Sequence, residues 1–254
     1  MKQIQIGLKL WSTNDNYLKP AKDLFDQGVF DYIELYFVPG TLNTYKLWNS
    51  LDIPVAVHAP HERHGLNLSL KANLSHNQEL LKETLMFANK TQSNYIVVHP
   101  GYGGNVDEVV NQLFPFKNEK ICIENMPLKL LNTSDVSVGA TYEDLVKIIN
   151  KLGISFCLDI NHSICTANAL SFDLYSFIQQ LSKLEPIFVH ISDNAKSEVI
   201  DTHLHLGKGD HDFNKIFKII SCDQVLIETN KDSPDNLLDF NEDVNYLKMI
   251  LGSL

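Results

Sequence analysis

Arginine is almost missing from this chain. Of 21 basic residues among 254, 20 are lysine and one, Arg63, is arginine. The basic side is also outnumbered by 31 acidic residues, giving a formal net charge of −10. A large nucleic-acid footprint needs a basic face, so this balance argues against one. Cysteine is sparse as well: Cys122, Cys157, Cys165 and Cys222 form no CxxC pair, and three of them lie in or beside apolar runs (ICIEN, SFCLDI, SICTA). That pattern excludes a disulfide framework and fits buried, reduced thiols. No apolar stretch approaches the ~18 residues that span a membrane. The opening MKQIQIGLKLW alternates like a strand and lacks the apolar core of a signal peptide. A soluble, cytoplasmic protein is the expectation. Low-complexity segments, Pro/Gly-rich linkers and short repeats are also missing.

What is present is a regular alternation. Short β-branched runs, near-continuously apolar, occur at about 3–10, 31–37, 54–58, 95–99, 120–124, 154–159, 186–191 and 224–228. Such runs suit parallel strands covered on both faces. Amphipathic stretches lie between them, at 77–90, 171–184, 211–221 and 235–251. At 141–152, Thr141 followed by Asp144 reads as a helix start and Gly153 as its stop. Eight strands with intervening helices in about 250 residues predict an α/β fold, a (β/α)₈ TIM barrel formed as a single domain over 1–254. A doubly wound sheet is the alternative that periodicity leaves open.

The polar residues fall in a pattern. Six strands finish in a side chain able to bind a metal: His58, His99, Glu124, Asp159, His190 and Glu228. Barrel active sites sit at the C-terminal ends of strands. Each of these residues follows an apolar run that would bury it, and an unpaired buried carboxylate is very costly; convergence on a shared cation removes that cost. Three further ligand types are expected in loops: His162, one turn after Asp159 in DINH, and Asp201 and His203 in DTH. Imidazole with carboxylate and no thiolate suits zinc, manganese or iron.

The segments VAVHAPHERHGLNL, IVVHPG, ICIENMP, FCLDINHS, FVHISDNAKS, DTHLHLGKGDHDF and LIET, in this order, resemble the endonuclease IV and xylose-isomerase-like TIM-barrel superfamily over nearly the whole chain. The resemblance implies up to three zinc ions. One would be held by His58, His99 and Glu124. A second, bridged by Glu124, would be held by Asp159, His190 and Glu228, and a third by His162, Asp201 and His203. In the single-metal sugar isomerase and epimerase arm of the superfamily, the ligands resemble Glu124, Asp159, His190 and Glu228. There Glu124 and Glu228 would be catalytic, exchanging protons while ligating the ion. The chain departs from the DNA enzyme where His61 and Glu62 replace its aromatic and aliphatic minor-groove wedge, and where FVPGTLN lacks its arginine.

The leading expectation is therefore a phosphoester hydrolase acting by metal-activated water on a small anionic or sugar-phosphate substrate, with nucleic acid disfavoured and no membrane partner. The alternative is a sugar or sugar-phosphate isomerase or epimerase using one divalent ion, zinc, manganese or another. Arg63 and His64, in the loop after the third strand, are candidate substrate-binding residues, because guanidinium grips phosphate in a planar, two-pronged way. Asp193 is a candidate for orienting a ligand from behind. Glu34 reads as a buried structural or supporting carboxylate. His205 and His211 read as loop residues, His76 as part of a helix start, Trp11 and Trp48 as packing residues, and GYGGN and GKGD as turns.

Overall fold

A computed structural model describes residues 4–117, 120–131 and 133–253; residue 3, the first of the expected strand at 3–10, lies outside them. Eight parallel strands close into a barrel in sequence order. They are β1 (Gln5–Trp11), β2 (Tyr32–Tyr36), β3 (Val55–His58), β4 (Ile96–Val98), β5 (Ile121–Glu124), β6 (Ser155–Asp159), β7 (Phe188–Ile191) and β8 (Gln224–Ile227). All eight expected strands form, and closure of β8 onto β1 through Gln5↔Gln224 to Leu8↔Ile227 decides for the barrel over the open sheet.

Successive side chains of a strand face opposite ways, and this alternation builds two cores. Outward residues such as Ile33, Val57, Ile123, Leu158 and Val189 join the large cluster between the barrel and its helices. Inward residues form a lower plug of Val97, Cys122, Cys157 and Phe188 beside Tyr32, Ala56 and Leu226. Gly7 belongs to this plug: a Cβ there would lie 2.4 Å from the Tyr32 ring, so only glycine fits. Two residues beyond each plug residue the next inward side chain is polar. Ala56 is followed by His58, Val97 by His99, Cys122 by Glu124, Cys157 by Asp159, Phe188 by His190 and Leu226 by Glu228. The register pairs Asp159 with His190 across β6 and β7 and Lys9 with Glu34 across β1 and β2.

Nine α-helices of the described residues surround the barrel: α1 (Leu18–Asp26), α2 (Tyr45–Asn49), α3 (Leu74–Lys90), α4 (Val106–Leu113), α5 (Tyr142–Leu152), α6 (Ile160–Leu170), α7 (Leu174–Ser182), α8 (Phe213–Ile219) and α9 (Leu238–Gly252). Helix α5 starts and stops where its sequence says: Thr141 accepts from the Asp144 amide, and Gly153 ends the helix at φ 63°. His76 lies in the first turn of α3.

One expectation is corrected here. His162 is not in a loop but in the first turn of α6, where Asp159 Oδ1 accepts from the His162 amide at 2.6 Å. Asp159 thus ends a strand and caps a helix at once. Residues 160–167 are all buried, so the segment has no polar face to betray a helical period. In the GYGGN segment the backbone runs so close to Ser69 that a Cβ on Gly104 would lie 1.8 Å from its carbonyl oxygen.

Candidate metal centre

The C-terminal mouth of the barrel opens into a cavity of about 810 Å³, and its walls include His58, His99, His162, Asp201, His203 and Glu228. Glu124, 1% exposed, is the hub beneath it. Its Oε2 lies 3.2 Å from His58 Nε2 and 3.1 Å from His99 Nε2, while its Oε1 lies 3.3 Å from His190 Nδ1 and 3.6 Å from His162 Nδ1. Ligand atoms of His58, His99 and Glu124 converge within 4.8 Å, as do those of Glu124, Asp159, His190 and Glu228. A third group adjoins them: His162 Nε2 and His203 Nε2 lie 3.1 and 3.0 Å from the same oxygen, Asp201 Oδ2. Six of the nine residues singled out as ligand types line the cavity, and Glu124, Asp159 and His190 lie buried against them.

The imidazoles are held in defined tautomers. A carbonyl oxygen can only accept, so the ring nitrogen facing it carries the proton. His58 Nδ1 donates to Ala59 O (2.6 Å), His162 Nδ1 to Asn125 O (2.8 Å) and His203 Nδ1 to Glu228 O (2.8 Å). Each then turns Nε2 inward, the nitrogen that would ligate a metal once free of its proton. His190 is reversed: Nε2 meets Glu34 Oε2 at 3.1 Å, leaving Nδ1 to face Glu124 and Glu228. The fit to a divalent ion rests on orphaned atoms. Asp159 Oδ2 and His190 Nδ1 are buried among the quartet's carboxylates with no hydrogen-bond partner, and a shared cation would satisfy both.

The electrostatics of the metal-free groups agree. Burial pushes Asp159 up, and the charges of Glu124, Asp201 and Glu228 help hold it at about 6 against the pull of His162. Burial would lower His99, but Glu124 and Glu62 raise it to about 9; Asp201 does the same for His203, also to about 9. His58, buried beside Lys9, falls to about 4 and is neutral. Burial works against Glu34, yet His190 and Lys9 hold it at about 2, as an anion.

Several residues stand elsewhere than expected. Trp11 is corrected from packing residue to cavity wall: its ring lies 5.1 Å from Tyr36 and carries the Arg63 guanidinium 4.8 Å above it. Trp48 does pack, 1% exposed, with Nε1 donating to Ser12 O. Arg63 lines the cavity, and His64 Nδ1 lies 2.7 Å from the Tyr36 hydroxyl. Glu62 turns inward, with Oε1 3.3 Å from His61 Nδ1 and Oε2 3.9 Å from His99 Nδ1. Asp193 accepts from the amides of Gly207 and His211, bracing the loop that carries Asp201 and His203 rather than orienting an imidazole of the centre. His205 bonds Asp243, and His211 Nε2 bonds Asn161 Oδ1. Lys9, which no motif singled out, sits on the cavity floor with Nζ 2.6 Å from Glu34 Oε1.

The structure is a TIM barrel with clusters of possible metal-binding residues at its mouth, and comparison with known proteins places its family. The family model for xylose isomerase-like TIM barrels matches residues 30–249, so the chain belongs to that family. An uncharacterised protein of Methanocaldococcus jannaschii is 26% identical, across 92% of this chain and 94% of the relative. A probable endonuclease 4 of Thermoplasma volcanium is 25% identical, across 76% of this chain and 72% of its own. Among solved structures, a D-tagatose 3-epimerase-like protein superposes with a TM-score of 0.70 at 21% identity, covering 98% of this chain and 97% of its own. The structural likeness shows the shared fold. No described helix is long and apolar enough to cross a membrane.

Proposed function

We propose that the chain is a multi-metal phosphoester hydrolase of the endonuclease IV type, acting on a small anionic substrate such as a sugar phosphate rather than on DNA. The observation that carries this reading is the third ligand group. His162 and His203 converge on Asp201 Oδ2, outside the quartet that a one-metal isomerase would use. Charge supports it. With Glu62 on the wall, Glu34, Glu124, Asp159, Asp201 and Glu228 make six carboxylates against the ammonium of Lys9, an excess of five negative charges with neutral imidazoles. One divalent ion leaves that excess at three negative. Three reverse it to one positive, which calls for an anionic substrate. The rim adds Arg63, Lys129 and Lys231.

When bound, divalent ions at such a centre clamp a phosphate group and bring the pKa of a water molecule toward neutrality. The chain's own residues do the positioning. Backbone carbonyls fix the tautomers of His58, His162 and His203, and Glu34 fixes that of His190. Arg63, over the Trp11 ring and lining the cavity, would offer its guanidinium to an anionic oxygen, with His64 held by Tyr36. Glu62 stands where the DNA enzyme has its wedge but turns inward onto His61 and His99, so it offers no wedge to a minor groove.

The second reading, a sugar or sugar-phosphate isomerase or epimerase, is favoured by the self-sufficiency of the quartet: Glu124, Asp159, His190 and Glu228 converge without the other residues. There Glu124 and Glu228 would pass protons to and from a substrate carbon. Zinc-loaded and manganese-loaded protein, assayed against sugar phosphates and phosphodiesters for ester cleavage and against sugars and sugar phosphates for interconversion, separates the two. Ester cleavage supports the hydrolase; interconversion with no ester cleavage refutes it.

A further inference from the structure

Lys9 belongs to none of the ligand sets, yet it is wired into one of them. It lies on β1 between Gly7 and Trp11, so the alternation of the strand points it into the barrel. Its Nζ is 2.6 Å from Glu34 Oε1 and 3.2 Å from Glu228 Oε1. The other oxygens of the same carboxylates go to His190: Glu34 Oε2 is 3.1 Å from Nε2 and Glu228 Oε2 is 3.0 Å from Nδ1. Lys9 and His190 therefore share both carboxylates, and Glu228 has one oxygen left to offer the quartet.

We propose that Lys9 is an internal cation that competes with a divalent ion for Glu228, restricting Glu228 to one-oxygen ligation and setting how tightly the quartet holds its ion. The physical basis is direct. An ammonium and a divalent ion drawing on one carboxylate repel each other, and on a floor where Glu34 and His190 are 0% exposed water does little to screen them. Without metal, the same ammonium supplies the counter-charge that lets Glu34 remain buried with Glu228, 20% exposed, beside it. Lys9 is thus a positioning residue. It keeps Glu34 on His190, and so Nδ1 turned to the quartet, before any ion arrives. This inference rests on the metal-centre reading of the proposed function.

Lys9→Gln, which keeps a hydrogen-bond donor without the charge, and Lys9→Met, which keeps only the length, test it against Lys9→Arg, which keeps the charge. Zinc affinity is measured at pH 8 by chelator competition, and anomalous scattering from crystals at limiting zinc shows which position fills. The neutral variants should hold the quartet's ion at least ~10-fold more tightly, about 1.4 kcal/mol, and fill that position first, while Lys9→Arg stays near wild type. Their metal-free melting temperatures should fall and their zinc-induced rise should grow. Folding of the neutral variants only in the presence of zinc supports the same exchange of cations. Folded neutral variants with unchanged or weaker zinc binding overturn the proposal, as does failure of both to fold even with zinc. Wild-type protein that binds no divalent ion would instead remove the metal-centre reading itself.

Discussion

Metal binding to this centre must release protons, and the size of the effect follows from His99. In the metal-free protein Glu124 and Glu62 overcome burial and raise His99 to about 9. An imidazolium cannot ligate, so at pH 7 the ion held by His58, His99 and Glu124 has to displace a proton bound about two pH units too tightly, roughly 2.7 kcal/mol or a hundredfold in affinity. His58, at about 4, imposes no such penalty. Zinc affinity of this group should therefore rise about tenfold per pH unit between pH 6.5 and 8.5. The third group carries two raised imidazoles, His162 and His203, and its slope should be steeper. Calorimetry in two buffers of different ionisation enthalpy should show about one proton released for the ion at His58, His99 and Glu124 and more than one for the third group. The stability of the metal-free protein moves the opposite way. His99 has a folded pKa above its unfolded value of about 6.5, so its contribution is complete below that pH and is lost as pH rises through 9. Zinc affinity independent of pH over this range, with no buffer-dependent heat, would refute the reasoning.

Other perturbations have definite outcomes. Asp159→Asn removes a carboxylate that burial holds at about 6. It should stabilise the metal-free protein at pH 7 by up to about 3 kcal/mol in thermal or urea unfolding while emptying the quartet of metal; destabilisation would contradict the assignment. Glu124→Gln keeps the hub's shape but not its charge, and elemental analysis should show loss of metal together with nearly all activity. Arg63→Lys cannot reproduce the two-pronged grip of a guanidinium and should raise KM about tenfold, about 1.4 kcal/mol, with kcat and melting temperature nearly unchanged. Incision of abasic-site duplex should be poor at ~0.15 M salt; efficient metal-dependent incision would restore DNA as the substrate.

The barrel and the polar cluster at its mouth were legible because one signal carries both. A parallel strand with apolar faces on both sides makes any His, Asp or Glu at its end conspicuous, and six such residues meet at the mouth. The ends themselves shift by one residue, with His190 inside β7 and His99 and Glu228 just past β4 and β8. Helix α6 was illegible because its first two turns are buried all round, which erases the amphipathic period. Lys9 escaped notice because attention to strand ends overlooks the middle of a long strand. The alternation that turns His58 inward from Ala56 also turns Lys9 inward from Gly7, and Glu34 inward from Tyr32. Trp11 and Glu62 depend on how the loops after β1 and β3 fold back over the mouth, and no local pattern in a single sequence encodes that.

The central claim is a centre with three ligand groups rather than one. It is tested most directly by counting metal. Protein saturated with zinc at pH 8, freed of loose ions by gel filtration and analysed by elemental mass spectrometry, should carry about three zinc ions per chain, with anomalous peaks at His58/His99/Glu124, at the quartet and at His162/Asp201/His203. A single ion confined to Glu124, Asp159, His190 and Glu228 would contradict the account and put the isomerase in its place.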